Sequence, residues 1–264
     1  MAVTINQEKC CGDKICYNIC PAGCIEMNEE NKAVITRKGT FTCISCGHCI
    51  GVCPKDAISL EIDGVEEFGE PNITSQITFE DLSLFMKGRR SVRYYKDKEI
   101  PQEELQKLFE IVRFAPTAKN GQYIKWIVIN GKDKVRQLAG LVIDYMRTIP
   151  SAKRMVASFD KGNDPIFRHA PCVIFAYCEK EIGERFGIVD CSIASSYLEL
   201  LLPTIGIGAC WAGFAVQTAK IYEPINKFLG LSENDVINAG FMLGYSKIKY
   251  KKVPPRQKAV VTYL

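Results

Sequence analysis

Residues 43 to 54 read CISCGHCIGVCP, with Cys43, Cys46, Cys49 and Cys53 followed by Pro54. The spacing is C-x2-C-x2-C-x3-C-P without a fault. Three closely spaced thiolates on one tight loop can grip three irons of a [4Fe-4S] cluster, while the fourth turns away. A structural zinc site favours paired CxxC ligands, and this run is not built that way. His48 lies inside the loop, but four thiolates already complete the ligand set, so it is expected to face solvent.

Working outward, Cys10, Cys16, Cys20, Pro21 and Ile25 recur 33 residues later as Cys43, Cys49, Cys53, Pro54 and Ile58. This is an internal duplication with one irregular position. Asp13 stands where Cys46 stands in the second copy, and Cys11 is a spare thiol beside it. In two-cluster chains of this spacing the fourth cysteine of each run ligates the other cluster. One predicted set is therefore Cys43, Cys46, Cys49 and Cys20; the other is Cys10, Asp13 (with Cys11 as substitute), Cys16 and Cys53. A carboxylate is a harder donor than a thiolate, so that corner is expected to hold its iron loosely and to leave the cluster prone to a [3Fe-4S] state, although two complete [4Fe-4S] clusters are expected, with Asp13 or Cys11 on the fourth iron of this one. Residues 1–62 resemble a bacterial-type 2[4Fe-4S] ferredoxin, with strand-like flanks at 32–36 and 57–62.

The chain has 264 residues and is 47% hydrophobic, enough for a small and a large domain. We read its net charge of +4 as spread along the sequence with no dense basic tract, which argues against a nucleic-acid partner. No uninterrupted apolar run reaches the roughly 18 residues of a membrane span, and the first residues lack a signal-peptide core. A cytoplasmic protein is expected. Thirteen cysteines then point to metal binding, not disulfides. Cys172, Cys178, Cys191 and Cys210 stand singly in apolar surroundings and read as buried small hydrophobes.

Residues 63–77 are polar, acidic and punctuated by Gly and Pro, as a linker would be. A second domain is expected over 78–264. Pro101 opens an amphipathic helix with apolar positions at Leu105, Leu108, Phe109 and Val112. Trp126–Ile129, Cys172–Tyr177 and Asp235–Gly244 read as buried strands, and Cys210–Phe214 as a strand or loop edge. Val135 to Met146 keeps helical spacing. Ile188–Pro203 reads as a helix in a core or a subunit interface, ended by Gly206 and Gly208. The fold class is α+β, with a central mixed sheet covered by helices. Neither GxGxxG nor GxxxxGK[ST] is present, and no Ser-His-Asp arrangement stands out. His169 reads as a packing residue before a strand. The chemistry is expected to belong to a cofactor.

Four stretches then converge: Arg89-Arg90-Ser91-Val92-Arg93, the run Ala115 to Gln122, the run Gly206 to Gly213, and Leu243-Gly244-Tyr245 with Pro254-Pro255-Arg256. In this order they resemble the FMN-dependent nitroreductase family, in its branch with a fused ferredoxin domain. The resemblance implies that Arg89 meets the FMN phosphate, that Arg90 belongs to the same cofactor-binding run, that Ser91 donates near the ribityl chain, and that Arg93 faces the pyrimidine edge. It further implies that Pro116, Thr117, Asn120 and Gln122 line the flavin, that the backbone of Ala212 and Gly213 passes flavin N5, and that Arg256 closes on the phosphate. Thr117 and Tyr123 depart from the family's serine and proline.

The function implied is a flavin-dependent oxidoreductase. Two iron-sulfur clusters and FMN would pass electrons from reduced ferredoxin or NAD(P)H to a small acceptor such as a nitroaromatic or a quinone. No catalytic side chain is required, and a homodimer is expected. The alternatives are a non-catalytic electron carrier or sensor, and an ene-reductase or dehalogenase on the same fold.

Overall fold

The computed structural model describes residues 2–61 and 77–264, so positions 63–76 of the expected linker lie outside the described residues. The chain divides into two compact units. One comprises Met1–Gln76 with Thr117–Gly121, the other Ile77–Pro116 with Gln122–Leu264.

The smaller unit runs β1 (Ala2–Ile5), α1 (Ile15–Ile19), β2 (Ile25–Met27), β3 (Ala33–Ile35), α2 (Gly39–Thr42), α3 (His48–Gly51) and β4 (Ile58–Glu61). β1 pairs with β4 and β2 with β3, both antiparallel. The duplication is visible as two copies of short helix followed by strand. Elements of this length are not stable alone. Their core is correspondingly small: Ile25, Ala33, Ala57 and Ile58 pack with Cys10 and Cys16, and Cys49 and Cys53 lie against them. The cysteines are thus part of the interior, and a metal group held by them would add to stability as a structural metal does.

In the larger unit, α4 (Phe79–Gly88) is capped by Thr78, whose hydroxyl accepts from the Asp81 amide. There follow α5 (Gln102–Val112), β5 (Lys125–Asn130), α6 (Lys132–Met146), α7 (Lys153–Asp160), β6 (Cys172–Glu179), α8 (Lys180–Ile182), a π-helical turn at Gly183–Gly187, and α9 (Ile188–Leu201). The chain continues through β7 (Ile207–Trp211), α10 (Gly213–Ala219), α11 (Glu223–Phe228) and β8 (Asp235–Tyr245). The sheet order is β5-β6-β8-β7, with every ladder antiparallel. A bridge from Ser91 to Ala209 adds a parallel pairing beside β7.

Strand alternation explains the core. Val173 and Phe175 of β6 face α6 and α10, while Cys172 and Ile174 face α5 and α9. Both sheet faces are covered, which is why these strands are continuously apolar in sequence.

Three expectations are corrected. Gly206, with φ 76°, does cap the helical segment before it, but Gly208 lies inside β7. A Cβ there would stand 2.5 Å from Val92 Cγ2, so the glycine exists to let Val92 lie on the strand. The helical run Lys180–Ile205 is long and apolar enough to cross a membrane by length and composition alone. Counting uninterrupted apolar residues missed it, because the helix passes on its average. Its inner face, with Cys191, Ala194 and Leu198, covers the sheet. Finally, the positive charge is gathered: Lys247, Lys249, Lys251, Lys252, Arg256 and Lys258 follow one another with no acidic residue after Asp235.

Candidate functional site

The two short helices of the small unit are entered through left-handed residues, Lys14 before α1 and Gly47 before α3. These tight turns bring thiols spaced along the loops to one side. Cys20, Cys43, Cys46 and Cys49 all line a cavity of about 330 Å³. Among the described residues no three His, Cys, Asp or Glu side chains stand close enough to share a single ion. The thiols ring a space instead of converging on a point, as a multi-iron core requires.

Backbone amides are aimed at the sulfurs. Cys24 N donates to Cys20 Sγ at 3.2 Å and Ala57 N to Cys53 Sγ at 3.3 Å, the same contact in each copy of the repeat. Ser45 N donates to Cys43 Sγ and Ala33 N to Cys10 Sγ, both at 3.4 Å. Burial would raise the Cys20 thiol, yet the amides of Cys24, Ala22 and Gly23 outweigh it and hold the group below its ordinary value. Burial, reinforced by neighbouring Cys46, Cys20 and Cys43, pushes the Cys49 thiol up to about 11. Iron would reverse that preference, because a coordinated thiol is held deprotonated. The donor set and the cavity fit a [4Fe-4S] cluster.

The other predicted set also gathers. Burial raises the Cys16 thiol, and Asp13, Cys10 and Cys53 add to the shift through their charge. At the irregular corner, Cys11 Sγ lies 3.7 Å from Asp13 Oδ2, and Ile15 N donates to Asp13 Oδ1 at 3.1 Å. Both side chains are exposed.

In the large unit, the segment before Val92 is fixed to β7 by Val92 N donating to Ala209 O at 2.8 Å. This places Arg89 and Arg90 in the wall of a pocket of about 610 Å³, with Glu199, Gly206 and Lys249. Arg89 Nη1 pairs with Glu199 Oε1 at 2.8 Å, and Trp211 Nε1 donates to Glu199 Oε2 at 3.4 Å. Arg90 Nη1 donates to Arg89 O at 2.6 Å, while Arg90 Nη2 is buried without a partner among the described residues. A buried orphaned guanidinium nitrogen is costly unless an acceptor reaches it. Its position fits the phosphate of FMN, which presents acceptors to a fork of this kind.

The remaining predicted residues are placed as follows. Ser91 is half-buried on β7, and Arg93 is exposed, donating to Ser91 O at 3.4 Å. Pro116 is exposed, Thr117 is half-buried, and Gln122 is left-handed with φ 47°. Asn120 donates to the carbonyls of Ile44 and Ser45. The Ala212 amide is spent on Gly240 O at 2.8 Å, which leaves Gly213 as the member of that pair opening α10. Arg256 is exposed and outside the pocket lining, with Nη1 donating to Pro255 O. His169 is exposed and left-handed, with its amide on Asp164 Oδ2, and is not the packing residue expected. The sequence reading missed Glu199 and Lys249; only their arrival beside Arg89 and Arg90 marks them.

Residues 86–245 match the nitroreductase family and residues 2–68 the 4Fe-4S dicluster domain. A protein of Archaeoglobus fulgidus, assigned by name as an NADH dehydrogenase/NAD(P)H nitroreductase, is 26% identical over 159 residues, covering 60% of this chain and 82% of that protein. An uncharacterized ferredoxin of Methanocaldococcus jannaschii is 28% identical over 60 residues, 23% of this chain and 78% of the ferredoxin. Among solved structures, a nitroreductase with bound FMN from Desulfitobacterium hafniense superposes with a TM-score of 0.59 at 22% identity, over 71% of this chain and all of that one. That likeness shows the fold. The nitroreductase match takes in more than half of the sequence, and the chain belongs to the nitroreductase family, with a 4Fe-4S dicluster domain at its N-terminus.

Proposed function

We propose that the protein is an FMN-dependent oxidoreductase in which a ferredoxin-like domain (1–62), joined by a linker (63–77) to a flavin domain (78–264), feeds electrons to a small organic acceptor of the nitroaromatic or quinone type. The observation that carries this reading is the presence, in one chain, of a four-thiol cavity with amides on its sulfurs and a cationic pocket with an orphaned buried arginine nitrogen. FMN, when bound, supplies the capacity to exchange one or two electrons. The residues supply position and charge. Arg89 and Arg90 would hold the phosphate, with Glu199 keeping Arg89 oriented. Arg93 would favour negative charge at the pyrimidine edge, and Ser91, Pro116, Thr117, Gln122, Ala212 and Gly213 would line the ring and ribityl chain. A cytoplasmic setting accompanies this reading, since thirteen cysteines in a chain of this size point to metal binding and not to disulfides.

Two finer readings accompany it. The first cluster is held by Cys10, Cys16 and Cys53 with Asp13 or Cys11 on its fourth iron. The protein is a homodimer, supported by α4, which buries no residue while Phe79, Leu84 and Met86 are all more than half exposed.

The test uses protein purified without oxygen. Iron, sulfide and flavin contents are measured, and reduced ferredoxin, NADH and NADPH are each supplied against nitroaromatic, quinone, enone and organohalide acceptors. The expected result is stoichiometric FMN, two clusters, and acceptor-dependent reoxidation. Clusters with flavin but no reoxidation by any acceptor would leave an electron carrier or sensor. Turnover confined to enones or organohalides would reassign the bond reduced.

A further inference from the structure

Asn120 lies in a run that the family resemblance gives to the flavin, yet its side chain is engaged elsewhere. Nδ2 donates to Ile44 O and to Ser45 O, each at 3.1 Å. Both carbonyls belong to the loop between Cys43 and Cys46, and Ile44 and Ser45 line the thiol cavity. Thr117–Gly121 is the one part of the chain beyond residue 76 that falls in the small compact unit.

The Ile44–Ser45 peptide group is bonded at both ends. Its carbonyl accepts from Asn120, and its N–H donates to Cys43 Sγ at 3.4 Å. Hydrogen bonds linked through one peptide polarise each other, so a donor on the carbonyl makes the N–H a stronger donor. Hydrogen bonds to the sulfurs stabilise the more negative, reduced cluster and raise its reduction potential.

The local backbone shows that this contact is maintained at a cost. Ser45, Lys119 and Asn120 are non-glycine residues with φ of 52°, 53° and 54°. Left-handed conformations of this kind persist only where the surroundings over-determine them. Asparagine tolerates the region better than most residues and brings the two-hydrogen donor that spans neighbouring carbonyls.

We propose that Asn120 is a positioning residue of the second cluster, fixing the Cys43–Cys46 loop and strengthening the Ser45 amide on Cys43. This rests on the cluster assignment above. Asn120 in this chain serves the iron-sulfur site, where the family motif would give it to the flavin.

The full-length protein with its clusters and FMN is compared with Asn120→Gly, which keeps the left-handed backbone and removes the amide, and with Asn120→Ala. Redox titration followed by EPR and FMN affinity by fluorescence quenching are both read. In each variant the ratio of reduced to oxidised second cluster at a fixed potential should fall about threefold, an order set by the loss of one polarised donor. The first cluster should hold its midpoint, and FMN affinity should stay within about twofold. Asn120→Gly separates the amide from backbone strain, so a change in Asn120→Ala alone overturns the proposal. Weakened FMN binding with both midpoints unchanged also overturns it and returns Asn120 to the flavin. If the unaltered protein takes up no second cluster, the cluster assignment itself fails, an outcome distinguishable from either.

Discussion

At Arg90 a guanidinium nitrogen is buried with no acceptor among the described residues, one residue from Arg89, which is already paired with Glu199. A ligand phosphate would satisfy the orphan with a charge-assisted bond of about 1.5–3 kcal/mol. Arg90→Ala should therefore weaken FMN binding about 10- to 100-fold and leave riboflavin, which lacks the phosphate, nearly unaffected. Equal loss for both flavins would place Arg90 away from the phosphate. Tyr123 is a second residue that local sequence did not explain. Its hydroxyl donates to the buried carboxylate of Asp190, and burial together with that charge raises the phenol well above its ordinary value. Tyr123→Phe should cost about 1–3 kcal/mol in urea unfolding, with Asp190→Asn recovering part of it. A neutral result would mean that Asp190 is held by other partners. At the irregular cluster corner, Asp13→Cys should bring the first cluster to a stable [4Fe-4S] signal in EPR, and Cys11→Ser should change it only if Cys11 is the ligand. Unchanged spectra and iron content in both variants would exclude both side chains.

At the scale of elements, β6 was legible because a strand covered on both faces is apolar at every position, and the same signal marks Ala239–Gly244 of β8, while β5 was read from the apolar run Trp126–Ile129 although its Val128 is exposed. α5 and α6 were legible because each buries one stripe, at Leu105, Leu108 and Val112 or at Val135, Leu138 and Val142. β7 was legible only at its end, through Cys210 and Trp211, since its Gly208 looked like a helix terminator. Its reason is a contact with Val92, more than a hundred residues earlier in the chain. Gly208→Ala should press a methyl group against Val92 and cost about 1–3 kcal/mol by thermal or urea unfolding, loosening the Arg89–Ser91 segment and FMN with it. The double variant with Val92→Ala should recover much of that loss. Failure to recover would show that the strain lies in β7 itself. α9 illustrates the opposite limit. Its composition is apolar nearly all round, but in the structure one face meets the sheet, while Ile188 and Val189 are more than half exposed.

For the whole molecule, the exposed side chains of α4 and the extended stretch after Tyr245, with Val260, Tyr263 and Leu264 almost fully exposed, are the surfaces that a second copy would cover. Light scattering after size exclusion should give twice the chain mass. Leu84→Glu combined with Phe79→Glu should shift it toward the monomer and lower flavin content. A wild-type monomer with full FMN would overturn the dimer.

The sequence by itself determined the two cysteine runs, their duplication, the buried strands and the order of the family motifs. Each is written as a local spacing, and loop length or strand period converts that spacing directly into geometry. Tertiary structure alone decided that Glu199 meets Arg89, that Tyr123 meets Asp190, and that Asn120 reaches Ile44 and Ser45. Those partners lie 67 to 110 positions apart. No periodicity carries information over such a distance; the partners are chosen by which surfaces pack together and which buried polar groups must then be satisfied.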